Sequence, residues 1–182
     1  TLFRSTFGSE VEVLGDAAAV AGVILSKDPL AVMLVTLHLE LMTQEHYTES
    51  VRDDAGLDPL FRSMLRHHWL EEAQHARIDA LEVAKLAREA TPEQIARAFD
   101  DYVELIGAFD GLLGMQAKMD VESLRRATGN DFDAAAVEAA QLAAYRNTFL
   151  LMGMRNRQFV EYAGKVSPEG VQKIADKAAT LA

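Results

Sequence analysis

Apolar residues recur along this chain at helical spacing, with no run of the strict alternation that marks a half-buried strand. Over 92–128, Ile95, Phe99, Tyr102, Ile106, Phe109 and Leu113 share one helix face, while Gly107, Gly111 and Gly114 line a narrow face suited to close packing. From Ala31 to Met42 the side chains are apolar nearly all round, interrupted by His38 and Glu40, which predicts a helix buried on most sides. Over 59–89, Leu60, Phe61, Met64 and Leu65 precede a polar stripe, and Val83 and Leu86 follow it. The stripe continues the apolar one and is expected to face the core. Each of the four prolines follows a capping residue: Asp28-Pro29, Asp58-Pro59, Thr91-Pro92 and Ser167-Pro168. A side-chain oxygen at the N-cap accepts a free amide of the first turn, and proline fits the first helical position. Gly129-Asn130 and Gly164 stand where left-handed caps would end helices. The predicted helices cover 29–51, 59–89, 92–128, 133–163 and 168–180, with 9–25 as an ambiguous remnant helix.

Long helices with short connections pack as antiparallel neighbours, so the expectation is an all-α bundle formed by residues 28–182 as one domain. Residues 6–27 read as a remnant segment or linker. Residues 1–5, Thr-Leu-Phe-Arg-Ser, read as translated adapter: ACG CTC TTC CGA TCT, the end of a common short-read sequencing adapter, encodes them in one frame. On that expectation native sequence starts near Thr6 and further residues belong upstream.

A net charge of −10 argues against nucleic acid or an anionic membrane surface as partner. With no cysteine, disulfides, zinc–thiolate sites and thiol nucleophiles are excluded. The apolar runs 17–25 and 31–42 are too short or too interrupted to span a bilayer. No secretory signal is visible, and the expected compartment is the cytoplasm.

The chemistry concentrates in residues 67–79, HHWLEEAQHARID, which hold three of the five histidines. On a helix His68, Glu72, His75 and Asp79 fall within roughly 60° of one another. Glu-x-x-His aims a carboxylate and an imidazole at one point, and bundles that bind two metals add a Glu from the neighbouring helix at the same height. Glu40 fits that place, because 40 and 72 are equidistant from a turn centred near residue 56. Two readings stay open: a metal site, or a buried His/Glu network that hydrogen-bonds internally.

Glu40 followed by His68-x-x-x-Glu72-x-x-His75 resembles the ferritin-like di-iron oxygenases, and most of all the p-aminobenzoate N-oxygenase family. The resemblance covers residues 40–75 and implies a ferritin-like fold. It implies that Glu40 caps or bridges iron, that Glu72 bridges, and that His68 and His75 bind one iron. It implies two iron ions in the intact site, with manganese also compatible, and O₂, an arylamine or similar small organic substrate and an external electron donor as partners. The family uses a second pair of helices with another Glu and Glu-x-x-His. No histidine follows His75, and Glu138-x-x-Gln141 lies near a helix start, off the level of Glu72. The missing half is therefore expected upstream. The alternative is a non-enzymatic ferritin-like module with a vestigial site, acting in binding or dimerisation, and a homodimer is compatible with either.

Asp79, one turn after His75, is placed to accept its second ring N–H and orient it, or else to balance Arg77 in partial contact with solvent. His46 and His67 read as boundary residues that height matching brings close, and His38 and Glu45 as structural. Met115, Met119, Met152 and Met154 read as core or pocket lining. Arg146, Arg155 and Arg157 are either grips for an anionic substrate or redox partner, or solvated surface.

Overall fold

In the computed structural model every cap–proline pair begins a helix. Asp28 accepts the Leu30 N–H at 2.8 Å, Asp58 accepts from Leu60 and Phe61, and Ser167 accepts from Gly170. Thr91 and Gln94 cap each other reciprocally. The structure describes Leu14, residues 17–129 and residues 131–182. The adapter reading of 1–5, and the start of the remnant segment, lie outside the described residues.

The helices are α1 (Ala17–Leu25), α2 (Pro29–His46), α3 (Pro59–Glu89), α4 (Pro92–Thr128), α5 (Ala134–Tyr145), α6 (Met152–Arg155), α7 (Arg157–Val166) and α8 (Pro168–Leu181). Two π-helical stretches interrupt the regular pattern: Tyr47–Val51 extends α2, and Arg146–Leu151 joins α5 to α6. Among the described residues there is no strand, so the fold is all-α. No single helix there is long and apolar enough to cross a membrane.

Helices α2 and α3 run antiparallel. Contacts between them pair Tyr47 with Trp69, Gln44 with Glu72 and Glu40 with His75, so one number falls as the other rises. Helix α2 buries Leu34, Leu37 and Leu41 against Phe99, Tyr102 and Ile106 of α4 and Phe159 of α7. Each fully buried side chain of this size contributes about 1.5–3 kcal/mol. At the centre His38 accepts a hydrogen bond from the Tyr102 hydroxyl at Nδ1, 2.7 Å away. Its Nε2–H donates to the Phe149 carbonyl at 3.0 Å, and that second bond fixes the tautomer. The π-helical stretch delivers this carbonyl, so His38 ties α2 to α4 and to the segment before α6. Its reading as structural fits this position.

Four details depart from expectation. The helix predicted over 133–163 is not continuous: it stops at Arg155 and restarts at Arg157, because Asn156 leaves the helix and caps α7 through Gln158 and Phe159. Gly164 lies inside α7, and Ser167 ends that helix in extended backbone; Gly129, with φ of 63°, is the left-handed cap. The face of Gly107, Gly111 and Gly114 makes no close approach, since a Cβ there would meet at most the Lys177 amino group at 3.8 Å. The glycines that matter for packing are Gly153, where a Cβ would lie 2.3 Å from the His38 ring, and Gly170, against Phe99.

The fourth concerns α3. Its apolar N-terminal half does not face the core: Leu60 is 80 % exposed, and Phe61 and Met64 are also exposed. Only Ala76, Ala80 and Val83 of this helix are buried. The polar stripe therefore runs along the rim of the core.

Candidate metal centre

The antiparallel pairing of α2 and α3 brings Glu40, Glu72 and His75 together, with one donor atom from each lying within 4.8 Å of the others. His75 Nδ1 is 2.8 Å from one Glu72 carboxylate oxygen and 3.9 Å from Glu40. His68 Nε2 approaches the other Glu72 oxygen at 2.5 Å. His68 thus reaches the cluster through Glu72 and stands outside the converging group of three. The four predicted ligands therefore meet, in two ranks.

Exposure grades across the site. The Glu72 side chain is 12 % exposed and Glu40 19 %, whereas His75 is 46 % and His68 53 % exposed. The carboxylates sit at the helix–helix seam and the imidazoles open outward. Gln44 braces the seam: its side-chain amide donates to the Glu40 and Glu72 carbonyls at 3.4 and 3.3 Å.

Burial and the neighbouring Glu72 carboxylate push the Glu40 carboxyl up to about 8, and Asp79 adds to that push. Glu72 moves below its ordinary value, because Glu40 donates to it and because His75 and His68 stand beside it. One proton is thus held on Glu40 and shared toward Glu72. The Glu72 carboxylate raises His75. Partial burial raises Asp79, and its Oδ2 is buried without a hydrogen-bond partner. The predicted bond from His75 to Asp79 does not form among the described residues, so Asp79 acts on the cluster through its charge.

These residues fit a divalent metal ion. Two carboxylates and an imidazole suit first-row divalent ions, and a shared proton occupies the place where a cation would relieve the same repulsion. The orphaned Asp79 oxygen adds a further unneutralised acceptor.

Two cavities are lined in part by α2 and α3. One, of 460 Å³, is lined by Leu41, Gln44, Thr48, Trp69 and Asn156 among others. The other, of 530 Å³, is lined by Leu41, Gln44, Ala76, Ala80 and Tyr162 among others. Gln44 and Leu41 border both, while Glu40, Glu72 and His75 border neither.

The remaining candidates resolve individually. His67 turns to its own helix, 2.7 Å from the Ser63 carbonyl, and His46 joins no donor group among the described residues. Glu45 accepts from Asn156 at 2.5 Å and so anchors the α6–α7 break to α2. Arg146 pairs with Asp110 through two hydrogen bonds of 2.6 and 2.9 Å, and Arg157 pairs with Glu161. Of the methionines, Met154 is buried and Met115 exposed. The brace of Gln44 and the break at Asn156 were missed from sequence. An asparagine three residues before an aromatic core residue was the available signal for the break.

No protein-family model, curated protein or solved structure matches the chain.

Proposed function

We propose that this chain carries one half of a ferritin-like, non-haem di-iron centre and acts as an oxygenase on an arylamine or similar small organic molecule. The observation that supports this most is the convergence of Glu40, Glu72 and His75 across one antiparallel helix pair. Glu40 and Glu72 would supply carboxylate oxygens, His75 its Nδ1, and His68 would approach through the outer oxygen of Glu72. Iron held there would supply the redox chemistry that turns O₂ on an organic substrate.

The chain's own part is positioning. Gln44 fixes the backbone carrying both glutamates, and Asp79 adds negative charge beneath them. A cavity of 460 or 530 Å³ suits a small organic molecule, and Gln44 lines both. An external electron donor completes the reaction, and the proposed setting is the cytoplasm.

A metal titration followed by O₂ uptake tests the reading. Anaerobic Fe²⁺ should bind to the wild-type chain and weaken at least tenfold in His75→Ala, as loss of a ligand predicts. Equal metal content in both proteins would remove the ligand assignment. Metal binding without O₂ consumption in the presence of reductant would favour the second reading, a non-enzymatic helical module. Exposed Leu60, Phe61 and Met64 on α3 favour that module as well, because such a face suits association.

A further inference from the structure

The donor set on α2 and α3 is one-sided. Glu40 and Glu72 approach from the seam and His75 from the rim, while His68 reaches only the outer oxygen of Glu72, so the outward side of the group of three is exposed. The same side of α3 carries exposed apolar residues on both flanks of the donors. Leu60 and Met64 precede them and Ile78 follows, all exposed. Leu60, Met64, His75 and Ile78 fall within roughly 60° on the helix, so His75 and the apolar flanks form one strip, with Glu72 at its seam-side edge.

The strip is close to self-complementary. Met64 and Ile78 lie seven residues on either side of Glu71, two helical turns each way. A two-fold axis passing at Glu71 would set Met64 of one copy against Ile78 of the other, and the reverse, as an isologous contact requires. His75 lies about one turn from that axis on the same strip, with Glu72 beside it at the seam, so each copy would close the exposed, imidazole side of the other's donor group. We propose that a second copy of this chain covers the strip, so that two sets of Glu40, Glu72 and His75 enclose a pair of divalent cations at the interface. The proposal rests on the reading of these three residues as ligands.

Charge decides when such a dimer forms. Each chain carries −10, and the interface would bring four glutamates together with the two copies of Glu71 at its axis. Without cations the Glu71 and Glu72 carboxylates of both copies, and the net charge of each chain, repel. Two divalent cations offset the four ligand carboxylates, so association requires metal. The dimer also supplies what each chain lacks, a second Glu and Glu-x-x-His facing the first.

Manganous ion is the probe, with light scattering and paramagnetic resonance as readouts on the wild-type chain. The expected result is a mass near 20.0 kDa in chelator that doubles with Mn²⁺, with about one ion per chain and a spin-coupled signal from paired ions. His75→Ala should stay monomeric in Mn²⁺. Ile78→Lys should shift the dimer midpoint at least tenfold toward monomer while still binding isolated ions. A wild-type chain that binds Mn²⁺ as isolated ions and stays monomeric overturns the dimer, and leaves the ligand reading intact. A chain that binds no Mn²⁺ overturns both. A dimer that persists in chelator and in His75→Ala overturns the metal-bridged interface.

Discussion

Glu40 holds the proton that a cation must displace. Its carboxyl is pushed up to about 8 by burial and by Glu72, so at neutral pH it is largely protonated. Metal binding below pH 8 should therefore release a proton, and apparent affinity should rise up to about tenfold per pH unit between about 6 and 8 before flattening. Calorimetric titration of Mn²⁺ in two buffers of different ionisation enthalpy measures the proton directly. Affinity unchanged over that range would mean that the ion does not displace the Glu40 proton. A second prediction at this scale concerns Gly153. A methyl group there would meet the His38 ring at 2.3 Å, and that ring is fully buried and hydrogen-bonded at both nitrogens. Gly153→Ala should cost about 1–3 kcal/mol by overpacking, read as a lower midpoint in urea. The matching change Gly111→Ala, in open space, should be neutral or slightly stabilising.

At the scale of elements, legibility followed locality. The starts of α2, α3, α4 and α8 were readable because an Asp, Thr or Ser before Pro settles a helix start within three residues. The face of α4 was readable because Phe99, Tyr102 and Ile106 repeat at one period. The nearness of Glu40 to Glu72 was readable because a short turn fixes the register of two long helices to within a turn; the contacts set Gln44 opposite Glu72 and Glu40 opposite His75. The break at Asn156 was not. No proline marks it, and the break depends on a distant partner, since Glu45 of α2 holds the Asn156 side chain at 2.5 Å. The π-helical stretches were hidden for the same reason: a widened turn is set by what packs on it, here His38 drawing the Phe149 carbonyl. Asn156 therefore does two jobs, capping α7 and joining it to α2. Asn156→Ala should lower stability by about 1–2 kcal/mol, more than Asp133→Ala, which removes a cap alone. Equal losses would mean that the bond to Glu45 contributes nothing.

On the scale of the whole molecule, the apolar strip of α3 shows what a one-dimensional pattern leaves open. Periodicity identifies an apolar face but not the surface that covers it, and this face opens beside the donor cluster instead of into the core. That placement sets how stability depends on pH. His38 is buried and held down to about 4, so between its ordinary 6.5 and about 4 the unfolded chain binds a proton that the folded chain refuses. Its contribution is present above 6.5 and is lost as pH falls through 4; the lowered Glu72 acts in the same direction. Glu40 is opposite in sign. Raised from 4.5 to about 8, it keeps its proton in the folded chain where the unfolded chain releases it, so its contribution is full below 4.5 and is lost as pH rises through 8. Asp79 and His75, also raised, add to that loss. The metal-free protein should therefore be most stable between about pH 4.5 and 6.5 and decline on both sides. Saturating Mn²⁺ changes the alkaline limb alone, because the ion binds the deprotonated cluster and stabilises it increasingly up to pH 8. Thermal melts from pH 4 to 9, in chelator and in Mn²⁺, separate the limbs. Glu40→Gln, which cannot release a proton, should flatten the decline between 6.5 and 8 and extend the acid limb up to about 6.5, because the His38 slope is then no longer offset. If the decline survives that substitution at full size, it belongs to His75 and Asp79, and the proton shared at the seam is not what limits the fold.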